Sequence, residues 1–371
     1  MSFATILDQP LAPSPALRRF AALIEPNDAA RFEVMAQEAR ELTRQNFGRT
    51  MRMFAPLYLS NECINNCSYC GFSRDNPILR VTLTIEQVLA EAGHLAKQGF
   101  RQVLLVAGEH PKFVNGDYLA ECVRVLRPIF SSISLELGPM ETADYLPLVE
   151  AGVEGLVVYQ ETYDRGIYAD MHTSGPKRDF NWRLDCPERA YAAGFRRIGI
   201  GALFGLAPWR NEAIALAGHL EYLLKRCWQS DLTVSLPRLR PAAGEFVPPF
   251  SLGERELAQL ICAFRICFPH VGIVLSTREP APLRDALASL GVTAMSAGSR
   301  TEPGGYTGQG KHEVHQTVRG RILPPNESSD DIATGQFQIS DERSPAEVAT
   351  LLRHRGFEPV WKDWDQALVG R

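Results

Sequence analysis

The chain has 371 residues, of which 45% are hydrophobic and 22% are charged, and its formal net charge is −4. This composition is typical of a globular protein with a large buried core and argues against a mainly disordered chain. The slightly acidic balance argues against a nucleic-acid partner, because nucleic-acid-binding proteins are normally basic. No uninterrupted apolar run reaches the ~18 residues of a membrane span, and no signal peptide is recognisable. We therefore expect a cytoplasmic protein with no membrane partner.

Amphipathic spacing predicts one helix over residues 28–46, near the start of the chain. Beyond it, short apolar runs alternate with longer helical stretches, a pattern that indicates repeated β/α units and a parallel sheet. One such helix is predicted over residues 84–99, with a capping-box spacing at Thr84 and Gln87 and a glycine stop at Gly99. The predicted strands are 56–61, 102–108, 132–138, 155–161, 197–205, 231–238, 272–278 and 293–299.

Eight β/α units are the number that closes a TIM-type barrel. We therefore predict an α/β fold with a (βα)8 TIM-type barrel at residues 51–300. An N-terminal helical extension at 1–50 precedes the barrel, and a C-terminal region at 301–371 closes it. An open, doubly wound sheet is the alternative, because the pattern of elements alone does not distinguish the two folds.

Three of the eight cysteines, Cys63, Cys67 and Cys70, form a C-x3-C-x2-C motif directly after the first predicted strand. In a parallel barrel, the loops that follow the strands form the functional face. Clustered cysteines in a reducing compartment indicate metal binding or catalysis. Three thiolates can bind three irons of a cubane cluster and leave the fourth iron open, as a catalytic site requires. A zinc site with a distant fourth ligand, or three unrelated thiols, is the alternative explanation.

An aromatic residue, Tyr69, precedes the last cysteine, and with it the motif resembles that of the radical S-adenosylmethionine (SAM) superfamily. The resemblance implies a 4Fe-4S cluster whose open iron binds SAM, and cleavage of SAM to methionine and a 5′-deoxyadenosyl radical. It also implies SAM contacts from Tyr69 and from later positions. These positions are Ala107, Gly108, Glu109, Glu161, Arg178, Gly201 and Gly205. Ala107, Gly108 and Glu109 match the family's Gly-Gly-Glu motif, with alanine replacing the first glycine.

The remaining implied SAM contacts concern the ribose, the methionine carboxylate and the adenine. Glu161 matches the ribose-contacting position, and Arg178 matches the arginine that binds the carboxylate. Gly201 and Gly205 match the adenine segment, although Pro208 replaces the glutamate of that segment. Close helix packing is the alternative role for both glycines.

Longer segments resemble one branch of the superfamily, the 2-iminoacetate synthases, which are the tyrosine lyases of thiamine biosynthesis. These segments are 56–61 (PLYLSN), 104–110 (LLVAGEH), 159–163 (YQETY), 171–180 (MHTSGPKRDF), 235–241 (SLPRLRP), 298–306 (GSRTEPGGY) and 336–344 (QFQISDERS). The resemblance implies a lyase that cleaves the Cα–Cβ bond of L-tyrosine to 2-iminoacetate (dehydroglycine) and p-cresol. It also implies thiazole synthase as a protein partner and a low-potential electron donor of the flavodoxin or ferredoxin type.

Related radical SAM enzymes are the alternatives to this branch. The hydrogenase-maturation tyrosine lyase carries a second cluster on C-terminal cysteines, whereas the last cysteine here is Cys267. This difference favours a single-cluster thiamine enzyme. A biotin synthase-like enzyme and a non-catalytic, zinc-stabilised scaffold remain open. The cysteines outside the motif, which we interpret as core residues of predicted helices, are Cys122, Cys186, Cys227, Cys262 and Cys267.

A zwitterionic, phenolic substrate needs an anchor for its carboxylate and a flat apolar slot from which water is excluded. Arg238 and Arg240 end the sixth predicted strand, and a period of two places both on one face toward the barrel mouth. We predict that they bind the tyrosine carboxylate together with Ser235, with a surface charge pair as the alternative. Arg278, at the end of the seventh strand, is a weaker candidate, and Tyr306 is a candidate pocket-lining residue.

Overall fold

Parallel strands and their connecting helices close into a barrel in the computed structural model, which describes residues 2–8, 12–319, 321–323 and 332–361. The strands are β1 (Thr50–Ser60), β2 (Asn66–Cys67), β3 (Ile78–Arg80), β4 (Gln102–Ala107), β5 (Ser132–Glu136), β6 (Gly155–Glu161), β7 (His172–Ser174), β8 (Arg197–Ala202), β9 (Asp231–Ser235), β10 (Gly272–Leu275), β11 (Ala294–Ser296), β12 (His315–Val318), β13 (Arg321–Ile322) and β14 (Glu358–Val360). The helices are α1 (Phe3–Asp8), α2 (Pro15–Leu23), α3 (Ala29–Phe47), α4 (Ile85–Lys97), α5 (Gly116–Leu126), α6 (Thr142–Ala151), α7 (Arg165–Met171), α8 (Phe180–Leu184), α9 (Cys186–Ala193), α10 (Trp209–Arg226), α11 (Glu254–Cys267), α12 (Ala281–Leu287) and α13 (Pro345–His354), with a 3-10 turn at Pro176–Arg178.

The barrel consists of β1, β4, β5, β6, β8, β9, β10 and β11, in that order around the axis. Neighbouring strands are parallel throughout, and hydrogen bonds between β11 and β1 close the circle. The closing register pairs Arg52 with Ala294 and Phe54 with Ser296. The predicted (βα)8 barrel is therefore confirmed, and the open sheet is excluded.

All eight predicted strands are present, but several ends differ from the prediction. β1 begins at Thr50, because residues 50–54 continue the strand and pair with β11 and β14. β8 ends at Ala202 rather than at residue 205, and β9 ends at Ser235 rather than at residue 238. Pro237 lacks the backbone N–H that a longer β9 would need for its ladder, which explains the early end of that strand.

Helices cover the outside of the barrel, and the N-terminal extension adds a further layer. The helix predicted at 28–46 is α3, which packs against α11, while α2 packs against α10 and α11. Phe20 of α2 lies 4.7 Å from Phe264 of α11, measured between ring centroids. The domain boundaries at residues 50 and 300 stay predictions, and residues 1 and 9–11 lie outside the described chain. No helix of the described residues is both long and apolar enough to cross a lipid bilayer.

The C-terminal region crosses the barrel mouth before it returns to the opposite end of the barrel. β12 joins β3 and β13 in a small antiparallel sheet, and β14 pairs with the start of β1. The carbonyl of Gln336 accepts a hydrogen bond from Gly71 N–H at 3.1 Å, and its Oε1 accepts one from the Tyr58 hydroxyl at 2.8 Å. Residues 320, 324–331 and 362–371 of the predicted C-terminal region lie outside the described chain.

A buried ion pair attaches this region to the barrel, and its loss is expected to destabilise the protein. Arg284 of α12 and Asp341 are hydrogen-bonded, and both side chains are 0% exposed. Replacement of one partner leaves a charge buried, which costs about 3–5 kcal/mol of unfolding free energy. Arg343 still donates to Asp341 Oδ2 at 2.7 Å. We therefore expect Arg284→Met to lose about 3 kcal/mol, at the lower end of that range, in urea unfolding followed by circular dichroism.

The matched control is Arg124→Met, because Arg124 pairs with Glu121 at the surface, where the two side chains are 58% and 47% exposed. Exposed pairs contribute at most about 1 kcal/mol, so this variant should unfold almost like the wild type. Equal losses in the two variants would contradict a stabilising role for the buried pair.

Candidate active site

The cysteine loop lies at the mouth of the barrel, directly after β1. β2 within this loop pairs with β7, and the register places Cys67 opposite His172. Cys67 is buried, while Cys63 and Cys70 are partly buried. Cys70 N–H donates to the Cys67 carbonyl at 3.2 Å, so the last two cysteines lie on one tight turn. Local pairing and turn formation thus hold the motif where the sequence predicted it.

The three thiols influence one another electrostatically. Burial raises the pKa of Cys63, and the neighbouring negative charge of Cys70 raises it further. Burial also raises the pKa of Cys67, where the charge of Lys177 opposes the effect and those of Cys70 and Cys63 add to it. The charge of one thiolate changes the pKa of the next because the three side chains are close together. Metal binding relieves this penalty, because the metal replaces the thiol protons.

This donor set fits an open-corner cubane cluster. Among the described residues, no three His, Cys, Asp or Glu side chains surround a point at which one metal ion could be bound. A 4Fe-4S cluster does not require such a point, because each thiolate binds a different iron. Three adjacent thiols on one loop, one buried and two partly buried, are therefore suited to hold three of the four irons.

The end of β4 packs against the cysteine loop, as the sequence predicted for Ala107, Gly108 and Glu109. Gly108 N–H donates to the Ser60 carbonyl at 3.0 Å, and the Glu109 carbonyl accepts from Ile64 N–H at 2.9 Å. The carboxylate of Glu109 accepts a hydrogen bond from the Asn65 side chain at 2.6 Å. The strand end thus lies beside the cluster ligands, and its contact with SAM stays a prediction.

Gly108 is expected to be indispensable for cluster binding. A Cβ at this position would overlap the Glu62 carbonyl and lie 3.1 Å from Cβ of Cys63. Gly108→Ala must therefore displace the backbone of the cysteine loop. We expect loss of most of the iron bound after anaerobic reconstitution, and loss of at least 90% of the activity, about 1.4 kcal/mol or more. Iron analysis and visible absorption would measure the first effect.

Gly93→Ala in α4 is the control for this variant, because no atom lies within 4 Å of the added Cβ. Alanine is the better helix former by about 1 kcal/mol, so stability and iron content should be retained or improved. Normal iron binding by Gly108→Ala would show that the loop tolerates the extra methyl group.

Glu161, the predicted ribose contact, ends β6 in a strained backbone conformation with φ 73°. Its carboxylate accepts hydrogen bonds from Lys177 Nζ at 2.6 Å and Arg183 Nη2 at 3.2 Å. Burial opposes its ionisation, but the charges of Lys177 and Arg183 outweigh burial and lower its pKa to about 2. A left-handed conformation in a non-glycine residue is held only where its surroundings compensate for the strain. These two cations provide that compensation.

Sequence reasoning missed both cations beside Glu161. Arg178, the predicted partner of the methionine carboxylate, is exposed on the 3-10 turn, whereas the adjacent Lys177 points to Glu161. Arg183 is buried and also donates to the Tyr159 carbonyl at 2.6 Å. The sequence offered a weak signal, because Lys177, Arg178 and Arg183 all lie in one short polar segment. The role predicted for Arg178 stays a prediction.

Tyr69 and the two glycines of the predicted SAM site lie on the same side of the mouth. Tyr69 is buried, and its hydroxyl is hydrogen-bonded to His172 Nε2 at 2.8 Å. A Cβ at Gly201 would lie 2.7 Å from the Ser235 carbonyl, so close strand packing alone requires glycine there. Gly205 has φ +122°, a conformation that favours glycine. Their contacts with SAM also stay predictions.

A cavity lies in the upper half of the barrel, among the strand ends that carry Tyr58, Val106 and Glu136. Its walls include Tyr58, Glu136, Tyr159, Arg278 and Phe337. Ser235, which the sequence predicted as a substrate contact, also lines it. The guanidinium of Arg278 stacks on the Phe337 ring, with its Cζ 3.4 Å from the ring centroid. The cavity therefore combines aromatic walls with one cation, Arg278, and two carboxylates, Glu136 and Glu279, as a site for a small polar ligand requires.

The barrel can enclose this cavity because many of its inward-facing positions carry small residues. TIM barrels are usually filled by bulky branched side chains. Here a second cavity continues toward the opposite end of the barrel. The small residues that line it are Ser132, Ser134, Gly155, Gly199, Thr233, Ser235, Thr293 and Ala294. The interior is thus open, where a packed core is the usual arrangement.

Two predicted carboxylate anchors, Arg238 and Arg240, do not line the upper cavity. The expected alternation on one strand is wrong, because β9 ends at Ser235 and both arginines lie in the loop beyond it. Arg238 is bound by Glu279 and donates to the Leu252 carbonyl at 3.0 Å. Arg240 is hydrogen-bonded to the Ser340 hydroxyl. Arg278, the weaker candidate, is the arginine that faces the cavity.

The prediction that Tyr306 lines the pocket is also wrong. Its hydroxyl donates to the Pro56 carbonyl at 2.7 Å, and its ring stacks with that of His94 on α4, at 5.8 Å between centroids. Its backbone N–H donates to the Glu91 carboxylate at 2.9 Å. Tyr306 thus fastens the loop after β11 to β1 and α4, whereas Ser299 and Thr301, earlier in the same loop, line the cavity.

The closed barrel, with three clustered cysteines at its mouth, defines the class: this chain is a radical SAM enzyme, which uses a 4Fe-4S cluster and SAM. The radical SAM superfamily model matches residues 57–214, and the model of the biotin and thiamin synthesis associated domain matches residues 235–358. The chain is 42% identical over 348 residues to the 2-iminoacetate synthase of Escherichia coli K12, covering 94% of this chain and 87% of that protein. It belongs to the 2-iminoacetate synthase family.

Solved structures agree with this assignment. The FeFe-hydrogenase maturase HydG from Carboxydothermus hydrogenoformans has a TM-score of 0.83 and 34% identity, covering 96% of this chain and 78% of that chain. Methylornithine synthase has a TM-score of 0.72, covers 99% of both chains and is 22% identical, which supports the fold alone. The family assignment therefore decides against the zinc-stabilised scaffold, and the hydrogenase maturase and biotin synthases are relatives.

Proposed function

We propose that this enzyme cleaves the Cα–Cβ bond of L-tyrosine to 2-iminoacetate and p-cresol. The family is named for the first of these products, and the observation that carries the choice of substrate is the composition of the upper cavity. Aromatic side chains form its walls and Arg278 provides a cation, which together suit a phenolic amino acid. Two of its lining residues adjoin predicted SAM contacts, because Val106 directly precedes Ala107 and Ser235 pairs with Gly201.

Cys63, Cys67 and Cys70 are the residues that would hold the cluster. When bound, the cluster and SAM supply a 5′-deoxyadenosyl radical that removes one hydrogen atom from the amino group of the substrate. Gly108 lets the end of β4 approach the cysteine loop without a clash. Lys177 and Arg183 hold Glu161 ionised and in one orientation, so that the carboxylate can accept hydrogen bonds from a ribose.

Arg278 is the residue that we propose as the anchor of the substrate carboxylate. Its planar guanidinium matches a carboxylate with two parallel hydrogen bonds. Stacking on Phe337 restricts its rotation, so less conformational entropy is lost when the substrate binds. Ser235 lines the same cavity and can donate a further hydrogen bond. Arg238 is already bound by Glu279, which makes it the less suitable anchor.

Water must be kept away from a radical, and the C-terminal region serves that purpose in our proposal. Phe337 lies in the cavity wall, and the hydrogen bonds of Gln336 with Gly71 and Tyr58 hold this segment against the cysteine loop. Exclusion of water also strengthens the interaction of Arg278 with a bound carboxylate.

The proposed partners follow from the family. We propose thiazole synthase as the protein that takes up 2-iminoacetate, and a flavodoxin or ferredoxin as the electron donor. A cytoplasmic location suits a chain whose eight cysteines are all free. Gel filtration of the enzyme mixed with a thiazole synthase from the same genome would test the first partner, and co-elution is the expected result.

The test of the proposed function is anaerobic incubation of the reconstituted enzyme with tyrosine, SAM and a reductant. We expect p-cresol and 5′-deoxyadenosine in equal amounts, measured by chromatography. Formation of 5′-deoxyadenosine without p-cresol would show that tyrosine is not the substrate. Formation of neither, in enzyme with a full cluster content, would contradict the radical reaction itself.

A further inference from the structure

Glu136 is one of the two carboxylates that line the upper cavity, and it takes no part in the ion pairs described above. It is the last residue of β5, and the register pairs it with Val106 of β4. Side chains of a strand alternate between its two faces, so Ser132, Ser134 and Glu136 point to the same side. All three line the barrel cavities, which places the Glu136 carboxylate inside the barrel, at its upper end.

The half-buried carboxylate of Glu136 differs from the buried glutamates of the barrel in its lack of a donor. Within the described part of the chain, no hydrogen bond to Glu136 is found, whereas Glu161, Glu212 and Glu279 each accept at least two. Glu136 is half-buried in the cavity wall, and with no donor among the described residues its carboxylate is left to solvent or to a ligand in the cavity. Such a group inside a binding cavity indicates that the ligand supplies the donor.

The charges around Glu136 indicate which donor fits. Burial raises its pKa to about 7, and the positive charge of Arg278 is the strongest influence that opposes this rise. Arg183 and Lys177 act in the same direction as Arg278, and Glu161 acts against them. The rings of Tyr58 and Tyr159 are the other titratable groups that face it. One carboxylate and one guanidinium therefore lie near each other in the cavity wall.

An α-amino acid carries a carboxylate and an ammonium group on one carbon atom, and these two charges complement those of Arg278 and Glu136. Its carboxylate matches Arg278, and its ammonium group matches Glu136. A phenolic hydroxyl is the other donor that tyrosine offers, but it lies at the far end of the ring from the group that Arg278 binds. The proximity of Arg278 to Glu136 thus favours the ammonium group.

We propose that Glu136 binds the α-ammonium group of the substrate and, together with Arg278, selects for free α-amino acids. This inference rests on the proposed function, because it assumes an amino-acid substrate in the upper cavity. Glu136 also places the amino nitrogen, the atom from which hydrogen is removed, at a defined point below the cluster loop. Charge-assisted hydrogen bonds of this kind are short and directional.

The test measures equilibrium binding to reconstituted enzyme with SAM but without reductant, so that no turnover occurs. Three ligands are compared by calorimetry: L-tyrosine, 3-(4-hydroxyphenyl)propionate, which lacks the amino group, and L-phenylalanine, which lacks the hydroxyl. We expect Glu136→Gln to weaken the binding of both amino acids by roughly tenfold to a hundredfold. The affinity for 3-(4-hydroxyphenyl)propionate should remain unchanged.

A pH series provides the second readout. The ionised carboxylate binds the ammonium group, so the affinity of wild-type enzyme for tyrosine should be full above the pKa of Glu136 and fall as the pH drops below about 7. In Glu136→Gln this dependence should disappear. Glu279→Gln is the matched control, because Glu279 also lines the cavity but is already bound by Arg238. It should retain wild-type affinity for tyrosine.

Three outcomes would overturn the proposal. If Glu136→Gln weakens the binding of all three ligands equally, Glu136 contacts a group other than the ammonium group. The same conclusion follows if it weakens only the binding of tyrosine and 3-(4-hydroxyphenyl)propionate. Unchanged affinity for tyrosine would show that no contact exists. If the Glu136→Gln enzyme fails to bind the cluster, the Glu136→Asp enzyme is tested in its place. The same selective loss of affinity for the two amino acids is expected. If the wild-type enzyme forms no p-cresol in turnover, the proposed function is contradicted instead. The binding results can still be interpreted in that case, because they are measured without turnover.

Discussion

Cys67→Ser is expected to abolish radical formation. Cys67 is the most buried of the three clustered cysteines and lies between Cys63 and Cys70 on the loop after β1. Serine keeps the size of the side chain but replaces a soft thiolate with a hydroxyl that binds iron poorly. We expect the activity to fall at least about a thousandfold, which corresponds to about 4 kcal/mol in the activation barrier. Iron and sulfide analysis after reconstitution, together with 5′-deoxyadenosine formation, would measure this.

The control is Cys267→Ser, at the end of α11 and outside the site. Cys267 belongs to α11 and not to the cysteine loop, so it is not expected to bind the cluster. The variant should keep its full iron content and its activity. Loss of iron in both variants would indicate general damage by serine, and retention of a full cluster in Cys67→Ser would contradict the ligand assignment.

Arg278→Met is expected to weaken tyrosine binding more than any other change in the cavity wall. Methionine can still pack against Phe337, but it offers neither the positive charge nor the two parallel donors of the guanidinium. Truncation of one partner of a desolvated charge pair costs about 2–5 kcal/mol, so KM should rise at least about thirtyfold. Steady-state p-cresol formation at varied tyrosine concentrations would measure this effect.

Arg278→Lys separates charge from shape, because lysine retains the positive charge but binds carboxylates as a point charge. We expect an intermediate rise in KM. Arg238→Lys is the matched variant at the position that the sequence favoured. Its partner is Glu279, so a lysine there can preserve the ion pair and should leave KM unchanged. The opposite result, with KM raised only in Arg238→Lys, would return the anchor role to Arg238.

Features of the chain that depend on local sequence were predicted well. The alternation of apolar runs and helical stretches predicted eight strands, and all eight form the barrel. The spacing of the cysteines and their place after the first strand predicted the cluster loop. Spacing and periodicity are properties of neighbouring residues, so one sequence is sufficient to recognise them.

Features that depend on the meeting of distant residues were predicted poorly. Arg238 and Arg240 had the charge and the spacing expected of an anchor for the substrate carboxylate. In the structure they are bound by Glu279 and Ser340, and no local sequence pattern predicts those partners. Most strands also end earlier than predicted, for example at Ala202, Ser235 and Leu275, because a strand ends where its neighbour no longer offers hydrogen bonds. Strand ends decide which side chains reach the mouth of the barrel.

The sequence by itself determined the class of chemistry: a barrel, three thiols for an open cluster, and the family of tyrosine lyases. Only the tertiary structure decided which charged groups face the substrate. Glu136 ends β5 and Arg278 lies in the turn after β10, and barrel closure brings them to one cavity. The physical reason is that a ligand site depends on where side chains converge and on which partners they already have. Both are properties of the folded chain as a whole.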